Sequence, residues 1–191
     1  MKELWEKSKF IEFIDNWCIK ELELNSLYGN NKLSLSSSKD QHKIKYINNC
    51  LVEEISEYMY AKDSNHRLDE LADVLNFSSW LVIATGLDIS KVKNILFNNK
   101  TKFSYTLVGL DYYSFIGSTI MLGMMAMNVL QNRGWVENET ETDENLFYSR
   151  IEEYIACILF FIACQGYTDI EILEALTKKI ETNKCRINNG Y

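Results

Sequence analysis

The sequence predicts an all-α protein, and three observations support that prediction. The 191 residues contain no proline, the commonest helix breaker, and the eight glycines are thinly spread. Long segments carry apolar side chains three and four residues apart, which is the period of one helix face. With 47% hydrophobic residues the chain can bury a substantial core, and we expect a single domain over residues 1–191.

The first two helices are predicted over about 3–28 and about 40–62. The first ends at the turn sequence Tyr28-Gly29-Asn30-Asn31, and a serine-rich loop over 33–38 precedes the second. Their apolar faces consist of Leu4, Phe10, Phe13, Ile14, Trp17 and Leu24 in the first helix, and Ile44, Ile47, Leu51, Ile55 and Tyr58 in the second. Each face predicts a helix packed against a core.

A third helix is predicted after the capping turn Asp63-Ser64-Asn65, and it is expected to end at about Thr85, before Gly86. Residues 74–83 are apolar nearly all round, which is typical of a helix buried on most sides. A short amphipathic helix is predicted next, over 88–97.

Three more helices are predicted, over about 105–133, over about 146–165 and from 168 onward. The stretch 112–132 carries no charged residue, and we interpret it as a buried or subunit-interface helix rather than a membrane span. The acidic segment 137–144 is predicted to be a loop. The capping-box pattern Thr168-Asp169-Ile170-Glu171 predicts the start of the last helix.

Charge and cysteine content exclude some classes of function. The net charge of −7 disfavours nucleic acid as a partner, because binding a phosphate backbone requires a basic face. The five cysteines show no CxxC spacing and indicate buried thiols of a cytosolic protein. Because the N-terminus is amphipathic and charged, no signal peptide is expected, and we predict a cytoplasmic protein without a membrane partner.

Two acidic stretches, Glu53-Glu54-Ile55-Ser56-Glu57 and Asp69-Glu70-Leu71-Ala72-Asp73, carry the strongest functional signal. Each is predicted to lie on a helix, so two such helices side by side would form an acidic pocket. At about 6 Å and an effective dielectric of about 20, each pair of like charges costs roughly 3 kcal/mol. Oxygen ligands without Cys or His suit Mg²⁺, or Mn²⁺, rather than Zn²⁺. The alternative is that these acids are solvated charges on ordinary helices.

Helix phase separates the members of the first acidic stretch. Glu54 lies at the edge of the apolar face and Glu57 a step further round, so both are ligand candidates, whereas Glu53 points away and is predicted to be solvated. Lys62 and Arg67 are the cations nearest in sequence. His66 is interpreted as a turn residue rather than as a base.

The C-terminal helix has a basic end against the acidic background, formed by Lys178, Lys179, Lys184 and Arg186. Cations at a helix C-terminus also stabilise the helix dipole, and that ordinary role is the alternative. An acidic metal site with a basic tail is what hydrolysis of a nucleoside triphosphate requires. The sequence does not itself place this tail beside the acids.

Two motifs resemble a known family. Glu53-Glu54-x-x-Glu57 followed by Glu70-x-x-Asp73 resembles the EExxE…ExxD signature of the all-α nucleoside triphosphate pyrophosphohydrolases, which include MazG proteins, dimeric dUTPases and phage dCTPases. The ending Lys179-x-x-x-Asn183-x-x-Arg186-x-x-Asn189-Gly190-Tyr191 is similar to the KNxxNxxRQxxGY motif of dimeric dUTPases and phage dCTP/dUTP pyrophosphatases. The resemblance covers roughly residues 44–85 and 157–191.

The resemblance implies a helical bundle of the dimeric dUTPase or MazG-like type and a homodimer. It implies Mg²⁺-dependent hydrolysis of a pyrimidine deoxynucleoside triphosphate, with dUTP favoured, to the monophosphate and pyrophosphate. By motif position, the Mg²⁺ ligands would be Glu54, Glu57, Glu70 and Asp73, with Glu57 and Glu54 catalytic and Glu57 orienting the attacking water. The substrate would be bound by Lys179, Arg186 and Tyr191 at its phosphates and by Asn183 in the nucleotide pocket.

Two further positions bear on the choice of base. Asn76 stands where the family's ELxDxxHF motif has His, and Glu21-x-x-Leu24-Asn25 corresponds to QxxLN, whose Gln reads the base. An ionised Glu21 can only accept hydrogen bonds, which suits the exocyclic amine of cytosine or adenine better than a uracil carbonyl. Hydrolysis of dCTP, or of a broader range of deoxynucleotides, is therefore the alternative. From another class, the chain could be a non-catalytic helical interaction protein.

Overall fold

The computed structural model describes residues 5–28, 31–97, 112–130 and 141–190, and these ranges contain seven helices and no strand. The helices are α1 (Lys7–Tyr28), α2 (Ser38–Tyr60), α3 (Ser64–Thr85), α4 (Ile89–Phe97), α5 (Tyr112–Val129), α6 (Glu144–Ala163) and α7 (Asp169–Asn188). The all-α prediction is thus confirmed over the described part of the chain.

Several predicted helix ends are found where turn chemistry places them. α3 ends at Thr85, because the next residue, Gly86, has a φ of 66°, a left-handed backbone conformation that residues other than glycine rarely adopt. The N-terminus of α7 has the predicted capping box, in which Glu171 Oε2 accepts from the Thr168 backbone N–H at 2.7 Å and the Thr168 hydroxyl accepts from the Glu171 N–H at 3.2 Å.

The fifth helix ends earlier than the sequence predicts. α5 stops at Val129 rather than near 133, and Leu130 closes it with a 3.2 Å hydrogen bond to the carbonyl of Met127. Most of the predicted acidic loop, residues 137–140, and the predicted helical segment 105–111 lie outside the described residues.

The chain divides into two compact units. Unit 1 comprises the described residues of Met1–Asn30, Cys50–Trp80 and Phe161–Tyr191, and unit 2 those of Asn31–Asn49 and Leu81–Phe160. The organisation as a single domain over 1–191 stays a prediction.

Unit 1 has a core in which α1 packs against α7. Phe13, Ile14 and Trp17 of α1 are fully buried, and Trp5 Nε1 donates to the carbonyl of Tyr167 at 3.0 Å. The C-terminal part of α2 joins this core through Tyr58. These contacts hold the helices that carry the acidic stretches and the basic end in one packed unit.

Tyr58 is a buried anchor beside the first acidic stretch. Its ring packs edge-on against Phe161 at a centroid distance of 5.3 Å, and its hydroxyl donates to Gln165 Oε1 at 2.6 Å. The rotation of α2 that buries Tyr58 therefore also sets the direction in which Glu54 and Glu57 point.

In unit 2, α5 lies against α6. Tyr154 is fully buried, and a Cβ added at Gly123 would lie 2.6 Å from the Tyr154 ring, so this contact requires glycine. One face of α5 is buried, whereas Tyr113, Met121 and Met124 are exposed on the other. No helix in the described ranges is both long and apolar enough to cross a membrane.

Candidate functional site

Three carboxylates converge in unit 1 and form the acidic cluster, which consists of Glu54, Glu57 and Glu70. One ligand oxygen from each lies within 4.8 Å of the other two. Glu54 and Glu57 are one helical turn apart on α2, and Glu70 comes from α3, so two helices contribute as the sequence predicted.

The connection between α2 and α3 brings these side chains together. Only residues 61–63 separate the two helices. Asp63 caps α3, since its Oδ1 accepts from the backbone N–H of His66 at 2.9 Å and its carbonyl accepts from the N–H of Arg67 at 3.0 Å. A short, capped connection fixes the start of α3 and hence the direction of Glu70.

Exposure within the site follows a gradient. Glu57 is exposed and Glu54 is half-buried, whereas Glu70 and Asp73 are each only 8% exposed. Glu53, which helix phase predicts to be solvated, is exposed, and so is Asp69. A ligand entering from solvent would therefore meet Glu57 first, with the more buried carboxylates behind it.

Burial and neighbouring negative charge both raise the pKa of the carboxylates in this site. The pKa of Glu54 is raised to about 7, chiefly by burial and then by the nearby carboxylates of Asp73, Glu57 and Glu70, while Lys179 opposes the shift. Burial also raises the pKa of Glu70, with Asp73 and Glu57 adding to the effect. Such shifts mark a site where positive charge would be favourable.

Lys179 supplies the main counter-charge. Its Nζ donates to Asp73 Oδ2 at 2.5 Å, and it also lowers the pKa of Glu54. Burial nevertheless raises the pKa of Asp73, despite the hydrogen bond and charge of Lys179. Lys62 and Arg67, the cations nearest in sequence, are exposed. The basic C-terminal helix thus reaches the acids, which the sequence alone did not place together.

Asp73 differs from the other three predicted metal ligands. It lies beside the acidic cluster, as its effect on the pKa of Glu54 shows, but in this structure its carboxylate is paired with Lys179. A cation that recruited Asp73 would have to compete with that pair.

His66 is a site residue that the sequence interpretation missed. Its Nε2 lies 2.9 Å from Glu70 Oε1, so it contacts the acidic cluster directly. The i, i+4 spacing of His66 and Glu70 in the predicted third helix was the available signal, because residues four apart share a helical face.

The remaining predicted residues fall into two groups. Asn183 is buried and Arg186 is exposed, four and seven residues after Lys179 on α7, a spacing that keeps all three on one side of the helix. Asn76 is partly buried on α3, three residues after Asp73.

The side chains of three other residues predicted to bind substrate lie outside the described part of the structure. Glu21 and Asn25 belong to α1, but their side chains lie outside the described part of the structure. Tyr191 also lies outside the described residues.

Comparison with known proteins finds no matching family model, no matching curated protein and no matching solved structure.

Proposed function

We propose that this chain is a Mg²⁺-dependent pyrophosphohydrolase of a pyrimidine deoxynucleoside triphosphate, with a helical bundle of the dimeric dUTPase or MazG-like type. The observation that carries the proposal is the convergence of Glu54, Glu57 and Glu70, with Lys179 paired to the adjacent Asp73. Carboxylates that bind a hard cation, next to a lysine ammonium group, are the parts that hydrolysis of a phosphoanhydride uses.

The donor set fits Mg²⁺, with Mn²⁺ as the close substitute. All three groups of the acidic cluster are carboxylates, and a hard divalent cation prefers oxygen ligands. Burial, and then the neighbouring carboxylates, raise the pKa of Glu54 and of Glu70, and a bound cation would counter both effects. When bound, Mg²⁺ supplies charge neutralisation at the phosphate oxygens.

The chain's own groups then have distinct tasks in the reaction. Water attacks the α-phosphorus, the bond from that phosphorus to the bridging oxygen breaks, and the monophosphate and pyrophosphate leave. Glu57, the exposed member of the acidic cluster, orients the water and accepts its proton. Glu54 and Glu70, which are more buried, would hold the cation together with Glu57.

The basic side of the site belongs to α7. Lys179 neutralises charge that develops on the pyrophosphate, and Arg186 extends this positive character two turns further along the helix. Asn183 lies between Lys179 and Arg186 in the sequence, is buried, and contributes to the nucleotide pocket. Moving Lys179 from Asp73 to phosphate would free Asp73 as a fourth carboxylate for the cation.

The preferred base is proposed from the α1 motif. The family resemblance favours dUTP, whereas a glutamate at position 21 favours a base with an exocyclic amine, and dCTP is the alternative substrate. Asn25 and Asn76 are the other proposed contributors to this pocket.

We propose a homodimer that associates through α5. Among the described helices, α5 alone contains no Asp, Glu, Lys or Arg, and its exposed face carries Tyr113, Gly117, Met121 and Met124. Two copies that each carry a net charge of −7 repel one another, so a neutral apolar face is the surface best suited to self-association.

A substrate panel tests the proposed activity. Pyrophosphate release is measured for dUTP, dCTP, dTTP, dATP and dGTP, with Mg²⁺ and with EDTA. We expect turnover of a pyrimidine nucleotide that requires Mg²⁺ and falls at least about 100-fold in Glu57→Gln. Glu53→Gln is the matched control, because Glu53 is exposed on the same helix, and it should retain activity. No turnover of any nucleotide by the wild-type protein would favour a non-catalytic interaction protein.

A further inference from the structure

His66 contacts the acidic cluster without belonging to it. Its Nε2 lies 2.9 Å from Glu70 Oε1, and its side chain is about half exposed whereas that of Glu70 is largely buried. His66 is absent from the motifs that assign the metal and substrate residues, so its contact with Glu70 requires a separate explanation.

The second ring nitrogen indicates which atom carries the proton. The backbone N–H of Lys62 donates to His66 Nδ1 at 3.4 Å, which makes Nδ1 an acceptor. In the neutral ring the proton is then on Nε2, and this N–H donates to Glu70. The imidazole thus accepts from the backbone on one side and donates to a carboxylate on the other.

The backbone N–H that donates to His66 Nδ1 belongs to the connection between two helices of the site. Lys62 lies in the 61–63 connection that joins α2, which carries Glu54 and Glu57, to α3, which carries Glu70. The backbone of His66 is held as well, because its N–H donates to Asp63 Oδ1 at 2.9 Å. His66 therefore ties the connection between the two helices to one carboxylate of the acidic cluster.

We propose that His66 is a positioning residue that fixes the orientation of the Glu70 carboxylate for a divalent cation bound with Glu54 and Glu57. The inference rests on the proposed metal-dependent function. Glu70 Oε1 is engaged by the imidazole, so rotation of the carboxylate is restricted and Oε2 is directed by that bond. Partners of this kind typically change metal affinity by about 10–100-fold when they are removed.

The test is a direct Mn²⁺ titration, followed by the electron paramagnetic resonance signal of free Mn²⁺ at pH 8.0, so no catalytic turnover is needed. His66→Phe keeps a ring but removes the donor, and it should weaken Mn²⁺ binding about tenfold. His66→Gln restores an N–H donor and should recover most of the affinity. His42→Ala is the matched control, because His42 also lies near the start of a helix and its Nδ1 contacts the carbonyl of Ser38 at 2.8 Å.

A double-mutant comparison shows whether His66 acts through Glu70. Glu70→Gln should weaken Mn²⁺ binding, and adding His66→Phe to that variant should cause little further loss. A urea denaturation curve in EDTA shows whether each variant is folded. If His66→Phe is not folded, His66→Ala replaces it. The positioning role alone would be overturned if His66→Phe bound Mn²⁺ with wild-type affinity. It would also be overturned if His66→Phe lowered the Mn²⁺ affinity as much in the Glu70→Gln variant as in the wild type. If the wild-type protein itself bound no Mn²⁺, both the proposed metal site and this role would be wrong.

Discussion

Lys179 Nζ lies 2.5 Å from Asp73 Oδ2, so α7 delivers a cation to a carboxylate that adjoins the acidic cluster. The two residues are 106 positions apart in the chain. Asp73 is only 8% exposed, and a carboxylate at that depth requires either a cation or a proton. Lys179 supplies this cation in part, since burial still raises the pKa of Asp73.

Replacing Lys179 by Met should destabilise the metal-free protein. The substitution leaves the buried Asp73 carboxylate without its partner, and because Lys179 is itself about one-third exposed we expect a loss of only about 1–2 kcal/mol in the free energy of unfolding. Urea denaturation in EDTA at pH 7.5 measures the change. Lys178→Met is the control, since Lys178 is the exposed neighbour on α7. Equal stability of the two variants would contradict a stabilising role for the pair.

The stability of the metal-free protein should fall as pH rises from about 4.5 to about 7. The folded-state pKa of Glu54, about 7, exceeds its ordinary value of 4.5, so across this range the folded chain binds more protons than the unfolded chain. Glu70 and Asp73 shift in the same direction.

Glu54→Gln provides the corresponding variant. It should flatten the pH dependence and raise stability at pH 8.0 by about 1 kcal/mol, a value reduced because Glu54 is only half-buried. Urea denaturation in EDTA at pH 5.0 and 8.0 gives both quantities. Glu53→Gln should behave as wild type, and a wild-type slope in Glu54→Gln would show that Glu54 does not titrate as described.

Local sequence signals were sufficient to predict much of the fold. Gly86 at the end of α3 and the Thr168–Glu171 capping box of α7 are decided by residues within one turn of the helix end. The apolar face of α1 was equally readable, because Phe13, Ile14 and Trp17 recur at helical spacing and are buried.

The site was less accessible to sequence reasoning, because its geometry depends on contacts between distant segments. Helix phase identified Glu54 and Glu57, but no local pattern places Lys179 on Asp73. The sequence alone favours a turn role for His66, because the partners of its ring nitrogens, Glu70 and the backbone of Lys62, are seen only in the structure. The exposed face of α5 could not be separated from a buried one, since its residues are apolar or small on both sides.

Mg²⁺ should stabilise the folded protein, and Asp73→Asn should reduce that effect. A ligand that binds only the folded state adds about 2.7 kcal/mol at 100 times its dissociation constant. The proposed site uses Asp73 as its fourth carboxylate, so the amide should lower the increase in melting temperature. Asp69→Asn is the control, because Asp69 is exposed one turn earlier on α3. An equal Mg²⁺ effect in both variants would remove Asp73 from the proposed ligand set.

Gly117→Lys should dissociate the proposed homodimer without unfolding the protomer. Gly117 is exposed on α5, and a Cβ at this position would have no atom within 4 Å, so the protomer accommodates a side chain. Lysine also favours a helix over glycine by roughly 0.5–1 kcal/mol. A dimer joined through this face would instead bury an ammonium group. Sedimentation equilibrium should report a dimer for the wild type and for Leu22→Lys, an exposed position on α1, but a monomer for Gly117→Lys. A dimeric Gly117→Lys protein would place the interface elsewhere.

Tyr154→Phe should stabilise the protein. The Tyr154 side chain is fully buried, its hydroxyl has no hydrogen-bond partner among the residues that the structure describes, and burial raises its pKa well above the ordinary value. Removing an unpaired buried hydroxyl while keeping the ring should raise the free energy of unfolding by about 1 kcal/mol. Gly123→Ala provides the opposite case at the same contact, because its Cβ would lie 2.6 Å from the Tyr154 ring, and overpacking of this kind costs about 1–3 kcal/mol. Thermal and urea denaturation of both variants measure the two changes. A destabilised Tyr154→Phe protein would mean that the hydroxyl is hydrogen-bonded in solution, with an ordered internal water as the candidate partner.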